Sequence, residues 1–338
     1  MITSDLSLSL LAIAAAALLS AVLTWAIRPL LLRHALARPN VRSSHRIPTP
    51  QGAGIAVIAA TLAVAGAIIA WLGAADLKIP SAVFAASLFI AIVGFADDLK
   101  SIPVLPRLLL QAAAVGAILF TASGDLRIVP ACPLWIERSL LLLAALWFVN
   151  LVNFMDGLDW MTVAEVVPIT GAMVVLGSIG EFPASATIVA AALCGAMAGF
   201  APFNRPVAKI FLGDVGSLPI GLLLGWCLLQ LAYHQQFAAA LLLPLYYLFD
   251  ATATLLRRLA RREPFWAAHR SHFYQRATDN GFTVWRVVGE VFTLNIALAA
   301  LAIGSIMTPS IAARIFLLGI GSIATALLMC RFGRRRAS

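Results

Sequence analysis

Charge is scarce in this sequence. Only 12% of its 338 residues are Asp, Glu, Lys or Arg, about half the share that soluble domains carry. Hydrophobic residues make up 62%, which excludes an ordinary water-soluble enzyme and indicates a polytopic membrane protein. Cysteine is also rare: Cys132, Cys194, Cys227 and Cys330 have no metal-ligand spacing, and the two inside apolar runs read as small core residues. No low-complexity linker and no repeat marks a boundary, so a single all-α helical bundle over residues 1–338 is expected. No basic residue precedes the first apolar run, while Arg28 and Arg33 follow it. That order argues against a cleaved signal peptide and for a first helix with its N-terminus outside.

Apolar runs lie near 6–26, 52–73, 80–96, 107–122, 138–151, 163–179, 184–201, 216–232, 237–256, 285–306 and 311–330. They predict about eleven (ten or eleven) membrane helices, although several are shorter than the roughly 20 residues that span a bilayer. With the N-terminus outside, the segments 27–51, 97–107, 152–162, 202–215, 257–284 and 331–338 face the cytoplasm. Nineteen of the 24 lysines and arginines fall there, as the positive-inside rule requires. The net charge of +9 thereby follows from loop topology, and no nucleic-acid partner is implied.

The acids sort onto the same face. Asp97, Asp98, Asp156, Asp159 and Asp214 stand at inner helix ends or in short inner loops. The stretch N-L-V-N-F-M-D-G-L-D-W from Asn150 repeats an amide or carboxylate every third residue: Asn150, Asn153, Asp156, Asp159. On a helix such residues stay neighbours on one slowly wrapping face, and polar groups at membrane depth usually face a wet cavity or a ligand. The adjacent pair Asp97-Asp98 points about 100° apart on a helix. One carboxylate is therefore expected on a metal or nucleophile while the other holds a basic residue. Asp214 lies between Gly213 and Gly216 before an apolar run, where it can cap a helix or offer oxygen to Mg²⁺. Phe211 is placed to stack on a base, and Asn204 and Lys209 to reach ribose or phosphate. In the first inner loop, R-S-S-H-R-I-P-T-P-Q-G-A-G, Arg46 with Arg42 and His45 can hold phosphate, and Gly52 and Gly54 allow close backbone approach. His269, Arg270, His272 and Arg276 form a cationic group suited to a diphosphate. Two histidines three apart also suit zinc, but no further His or Cys lies nearby.

Taken in order, these motifs resemble the polyprenyl-phosphate N-acetylhexosamine-1-phosphate transferases, over roughly Arg42 to Arg276. The resemblance implies that Asp97-Asp98 lies near the reacting phosphates. It also implies that Asn150, Asn153, Asp156 and Asp159 build the nucleotide and metal site, that Asp214 (with Asp156) ligates Mg²⁺, or Mn²⁺ in its place, and that Phe211 lies beside uracil. The last loop, with His272 among the catalytic residues and His269 and Arg270 on substrate, would bind the diphosphate. Its H-R-S-H-F-Y-Q form departs from the three-histidine run of the peptidoglycan enzyme and looks more like the O-antigen and capsule initiators. Arg107 stands where relatives often place lysine, and Lys100 sits one residue early against the usual D-D-x-x-K. The implied reaction is attack of undecaprenyl phosphate on a UDP-activated amino sugar, with release of UMP, in the bacterial inner membrane. The implied partners are those two substrates and membrane lipid, with a homodimer left open. A transporter or lipid-linked sugar flippase is the alternative, against which stands the gathering of acids at one face.

Overall fold

The computed structural model describes residues 2–37, 48–72, 81–264 and 269–335, and the side chains from Leu6 onward. The elements are α1 (Ile2–His34), β1 (Leu36–Ala37), β2 (Thr49–Pro50), α2 (Gly54–Leu72), α3 (Ser81–Leu99), α4 (Val104–Thr121), α5 (Leu134–Met155), α6 (Met161–Ser178) and α7 (Ala184–Asn204). There follow α8 (Asp214–Tyr233), α9 (Phe237–Leu242), α10 (Leu245–Ala260), α11 (Phe273–Asp279), α12 (Val284–Met307) and α13 (Ile311–Gly333). Ten helices among the described residues are long and apolar enough to cross a membrane. Without water to satisfy the backbone, helices with internal hydrogen bonds are one of only two ways to span lipid.

The ninth expected run, 237–256, is interrupted. Pro244 has no N–H to donate, so the run divides into α9 and α10. The two pieces still make one return pass. Gln235, just before α9, donates to Ile128 O at 3.4 Å, in the loop between α4 and α5. At the other end Arg257 of α10 donates to Ser271 O at 2.6 Å, just ahead of α11. Counted with this broken pass, the described residues hold eleven candidate crossings, ten of them single helices.

Lipid gives helices no hydrophobic reason to associate, so close packing of small residues takes over. Gly195 and Gly199 of α7 lie against α1, where a Cβ would come within 2.1 Å of Ile13 O and of Ala17 O. The middle of the bundle is α6, α7 and α8: α8 is mostly buried, whereas α13 is mostly exposed. Outer helices present Trp25, Trp71, Leu105 and Phe120 outward, a surface suited to acyl chains.

Candidate active site

The aspartate ends of α3, α5 and α8 meet at one end of the bundle. The N-terminus of α8 can come this close because Gly54 and Gly216 face each other; a Cβ on Gly54 would lie 2.2 Å from Gly216 Cα. The chain before α2 then zips along the chain before α8. Phe211 N–H donates to Pro50 O (2.8 Å), Gly52 and Ala53 donate to Phe211 O (3.1 and 3.0 Å), and Gly54 to Leu212 O (2.8 Å). The close approach expected of Gly52 and Gly54 is thus to this segment, and it holds Gln51 and Phe211 at the rim. Arg46, with Arg42 and His45, lies outside the described residues.

The two adjacent aspartates divide their work. Asp97 accepts from Ile102 N–H at 2.5 Å and from Arg107 Nη1 at 2.8 Å; it is the carboxylate that holds the basic residue. The same Arg107 nitrogen lies 3.7 Å from Asp214 Oδ2. Asp98 reaches across the bundle and accepts from the backbone N–H of Asp214 (2.9 Å) and Val215 (3.0 Å). Gln51 also donates to it. Those backbone donors are the first orphan N–H groups of α8, and a carboxylate there also complements the helix dipole. So α8 is capped by Asp98 from another helix, and Asp214, its first residue, is left to point its own carboxylate at the site. Gly213, with φ of +80°, makes the turn, and a side chain there would strike Asp98.

The expected stripe of four does not stay on one face, because α5 ends at Met155 and each member finds a different partner. Asn150 donates to Gln111 Oε1 at 2.6 Å and Leu146 O at 2.8 Å, a buried link to α4. Asn153 donates to Asp214 Oδ1 at 2.8 Å and Ser217 Oγ at 2.9 Å, which aims the Asp214 carboxylate. Asp156 closes the end of α5 and accepts from the Thr162 hydroxyl. Withdrawal from water raises its carboxyl to about 7, and the negative charges of Asp98 and Asp159 push the same way against the Thr162 bond. Asp159 is buried and accepts from Ala208 N–H at 3.0 Å, which pins the loop before Phe211.

Asn204, expected to reach ribose or phosphate, bonds to the backbone on both sides. Its carbonyl accepts from Trp160 N–H at 2.8 Å and its amide donates to Ile210 O at 3.0 Å. Lys209 is exposed and Phe211 half-buried. In the last loop His272 is buried at the start of α11, its ring 4.9 Å from that of His269 and 6.5 Å from that of Phe154. Arg270 folds back on α11, donating to Asp279 (3.2 Å) and Thr278 (3.0 Å). Sequence reasoning passed over Gln51, Thr162, Ser217 and Asp250. Asp250 alone carried a signal, a carboxylate in the middle of an apolar run.

No group of three or more His, Cys, Asp or Glu among the described residues stands ready to cage an ion. Mg²⁺ is usually held by one or two carboxylates plus substrate phosphates, and the donor set here suits that mode. Asp214 keeps carboxylate oxygen toward the site, with Asp97 and Asp98 in electrostatic reach; Asp98 is also in reach of Asp156.

Residues 80–232 match the family model described as glycosyl transferase family 4. Among curated proteins, the phospho-N-acetylmuramoyl-pentapeptide-transferase of Streptococcus gordonii is 29% identical over 224 residues, covering 62% of this chain and 67% of that protein. The same-named protein of Streptococcus pneumoniae (strain 70585) is 28% identical over 179 residues, 49% of this chain and 54% of its own length. The match to the family model covers α3 to α8, the helices that bring Asp97, Asp98, Asp156 and Asp214 together. Over these helices the chain is similar to glycosyl transferase family 4, and over a wider stretch to phospho-N-acetylmuramoyl-pentapeptide-transferases.

Proposed function

We propose that this protein transfers a sugar-1-phosphate from a UDP-activated N-acetylhexosamine, or its 6-deoxy form, to undecaprenyl phosphate, and so starts a lipid-linked O-antigen, capsule or other envelope polysaccharide. The carrying observation is the hydrogen bond from Asn153 to Asp214 beside the Asp97–Arg107 pair. It joins residues 61 positions apart into a cluster of carboxylates beside the Arg107 guanidinium. An oxygen of the lipid phosphate attacks the β-phosphorus of the donor; the new P–O bond forms as the bond to UMP breaks, and UMP leaves with the electron pair.

Such a step needs positioning and neutralisation of charge more than covalent help from the protein. Asp214 with Asp156 would hold Mg²⁺, which would supply charge neutralisation on the diphosphate. Asn153 and Arg107 orient the Asp214 carboxylate, Asp98 holds the end of α8 that carries it, and Phe211 and Lys209 line the rim where the nucleotide enters. His269, His272 and Arg270 serve the phosphates from the last loop. A phosphate monoester has its second pKa near 6, so the nucleophile is largely dianionic at neutral pH and no base is required. That agrees with the three N–H donors on Asp98, which suit an anchor better than a proton acceptor.

The loss of the three-histidine run favours a simple hexosamine donor over the pentapeptide substrate named for the streptococcal relatives. Basic residues gathered at the aspartate end favour a cytoplasmic active site, with the N-terminus outside, in the bacterial inner membrane. The test is nucleotide release by the purified protein with Mg²⁺, undecaprenyl phosphate and a panel of UDP-N-acetylhexosamines that includes UDP-N-acetylmuramoyl-pentapeptide. UMP that requires the lipid phosphate, and is lost in Asp214→Asn, is expected. UDP in its place would overturn the mechanism.

A further inference from the structure

Asp250 lies in the run that the chain breaks at Pro244, and it is fully buried. Five donors converge on its carboxylate. Oδ1 accepts from Phe273 N–H at 2.9 Å, from Thr254 Oγ1 at 3.2 Å and from His272 Nδ1 at 3.2 Å. Oδ2 accepts from Tyr274 N–H at 3.0 Å and from the Tyr246 hydroxyl at 3.2 Å. An ionised carboxylate is acceptor-only, with about four lone-pair sites, and five partners crowd this one. The His272 contact is a hydrogen bond to a carboxylate when the ring proton sits on Nδ1, and Nε2 then lies on the opposite edge of the ring, turned away from Asp250.

We infer that Asp250 is a positioning residue of the transfer site, setting the tautomer and orientation of His272 and docking the start of α11 against the Asn153–Asp156 turn. The docking surface is explicit. Tyr274, whose backbone N–H Asp250 accepts, donates its hydroxyl to Phe154 O at 3.0 Å. A Cβ on Gly157 would lie 2.1 Å from that hydroxyl, so a glycine is needed where α11 meets the turn. His272 stacks against Tyr274 with ring centroids 5.8 Å apart. One carboxylate on α10 thus registers the last loop, 22 residues away in sequence, against the turn that carries Asn153 and Asp156. A helix cap alone would account for Phe273 and Tyr274; it would not account for the imidazole.

The inference rests on the transfer reading only in giving His272 a part in that reaction, and the test separates the two. The full-length protein in detergent is compared as wild type, Asp250→Asn, His272→Gln and the double variant, by UMP release and by ¹⁵N NMR of the histidine rings. Asp250→Asn is expected to lower kcat at least about tenfold, the loss expected when an imidazole loses the partner that sets its tautomer. KM for the donor should stay within about threefold, as for an interaction made in the transition state. In the His272→Gln background the same change should cost almost nothing more. The His272 ring signals should move away from the Nδ1–H form. Equal losses of kcat in both backgrounds, or unchanged ring signals, would overturn the inference. If Asp250→Asn does not fold, His272→Asn and His272→Gln decide. Asparagine keeps a donor where Nδ1 stood and should melt as the wild type does, whereas glutamine should melt lower; the reverse order would overturn it. Absence of UMP from the wild type with every donor would sink the transfer reading, while ring signals and melting would still judge the link from Asp250 to His272.

Discussion

Asp214 gains its place from its neighbours: Asp98 takes the backbone donors of α8, and Asn153 aims the side chain. Asp214→Asn should therefore leave the melting temperature near that of the wild type and reduce UMP release by about 100-fold or more, the scale of losing one preorganised electrostatic partner. Asn204→Ala should do the opposite. It strands the Trp160 N–H and Ile210 carbonyl in a buried site, at about 1–3 kcal/mol, so the melting temperature falls and the activity per folded molecule is retained. Asp156 adds a pH signature. With its carboxyl raised to about 7 from the ordinary 3.8, the folded state holds a proton that the unfolded chain releases between those values. Stability then declines as pH rises through that window and levels off above about 7. Thermal unfolding in detergent without divalent cation should show that decline; Asp156→Asn should flatten it, and Mg²⁺ should reverse it by favouring the ionised form. An unchanged slope in the variant would assign the pH dependence to another group. At this scale the residue types of the site are readable in the sequence, since an acid or amide in an apolar chain is conspicuous. Their partners are not, because Asn150 to Gln111 and Asp98 to Asp214 depend on which helices become neighbours.

Helices that cross near their ends need small residues at the crossing. Gly216→Ala would put a Cβ 2.7 Å from Gly54 Cα, and overpacking of this kind costs about 1–3 kcal/mol. The expected result is a lower melting temperature together with weaker nucleotide release, because the shift falls at the turn that orients Asp214. The break between α9 and α10 shows what periodicity alone leaves undecided. The run 237–256 is apolar enough to read as one span, and Pro244 is visible within it, yet a proline inside a helix can be tolerated: α8 contains Pro219 and remains one helix. Which proline breaks the helix depends on what neighbouring helices supply to the freed carbonyls.

For the whole molecule the parity of crossings gives a direct test. A cysteine placed at Gly124, in the exposed loop after α4, should react with a membrane-impermeant thiol reagent in intact cells when Cys132 is replaced by Ser. The exposed Cys330, at the aspartate end, should react only after the membrane is opened. The reverse pattern would place the aspartates outside and remove the proposed access to cytoplasmic UDP-sugar. Membrane residence, the apolar runs and the gathering of acids and bases at one face follow from the sequence by itself, because solvation in lipid and the bias of basic loops act on composition and order. Only the tertiary structure decided that Asp97 holds Arg107, that Asp98 caps α8, that Asn204 is a brace and that Asp250 grips His272. Hydrogen bonds between separate elements, from Asp97 and Arg107 ten residues apart to Asp98 and Asp214 116 apart, are set by how helices and loops pack, and that packing has no local trace in the chain.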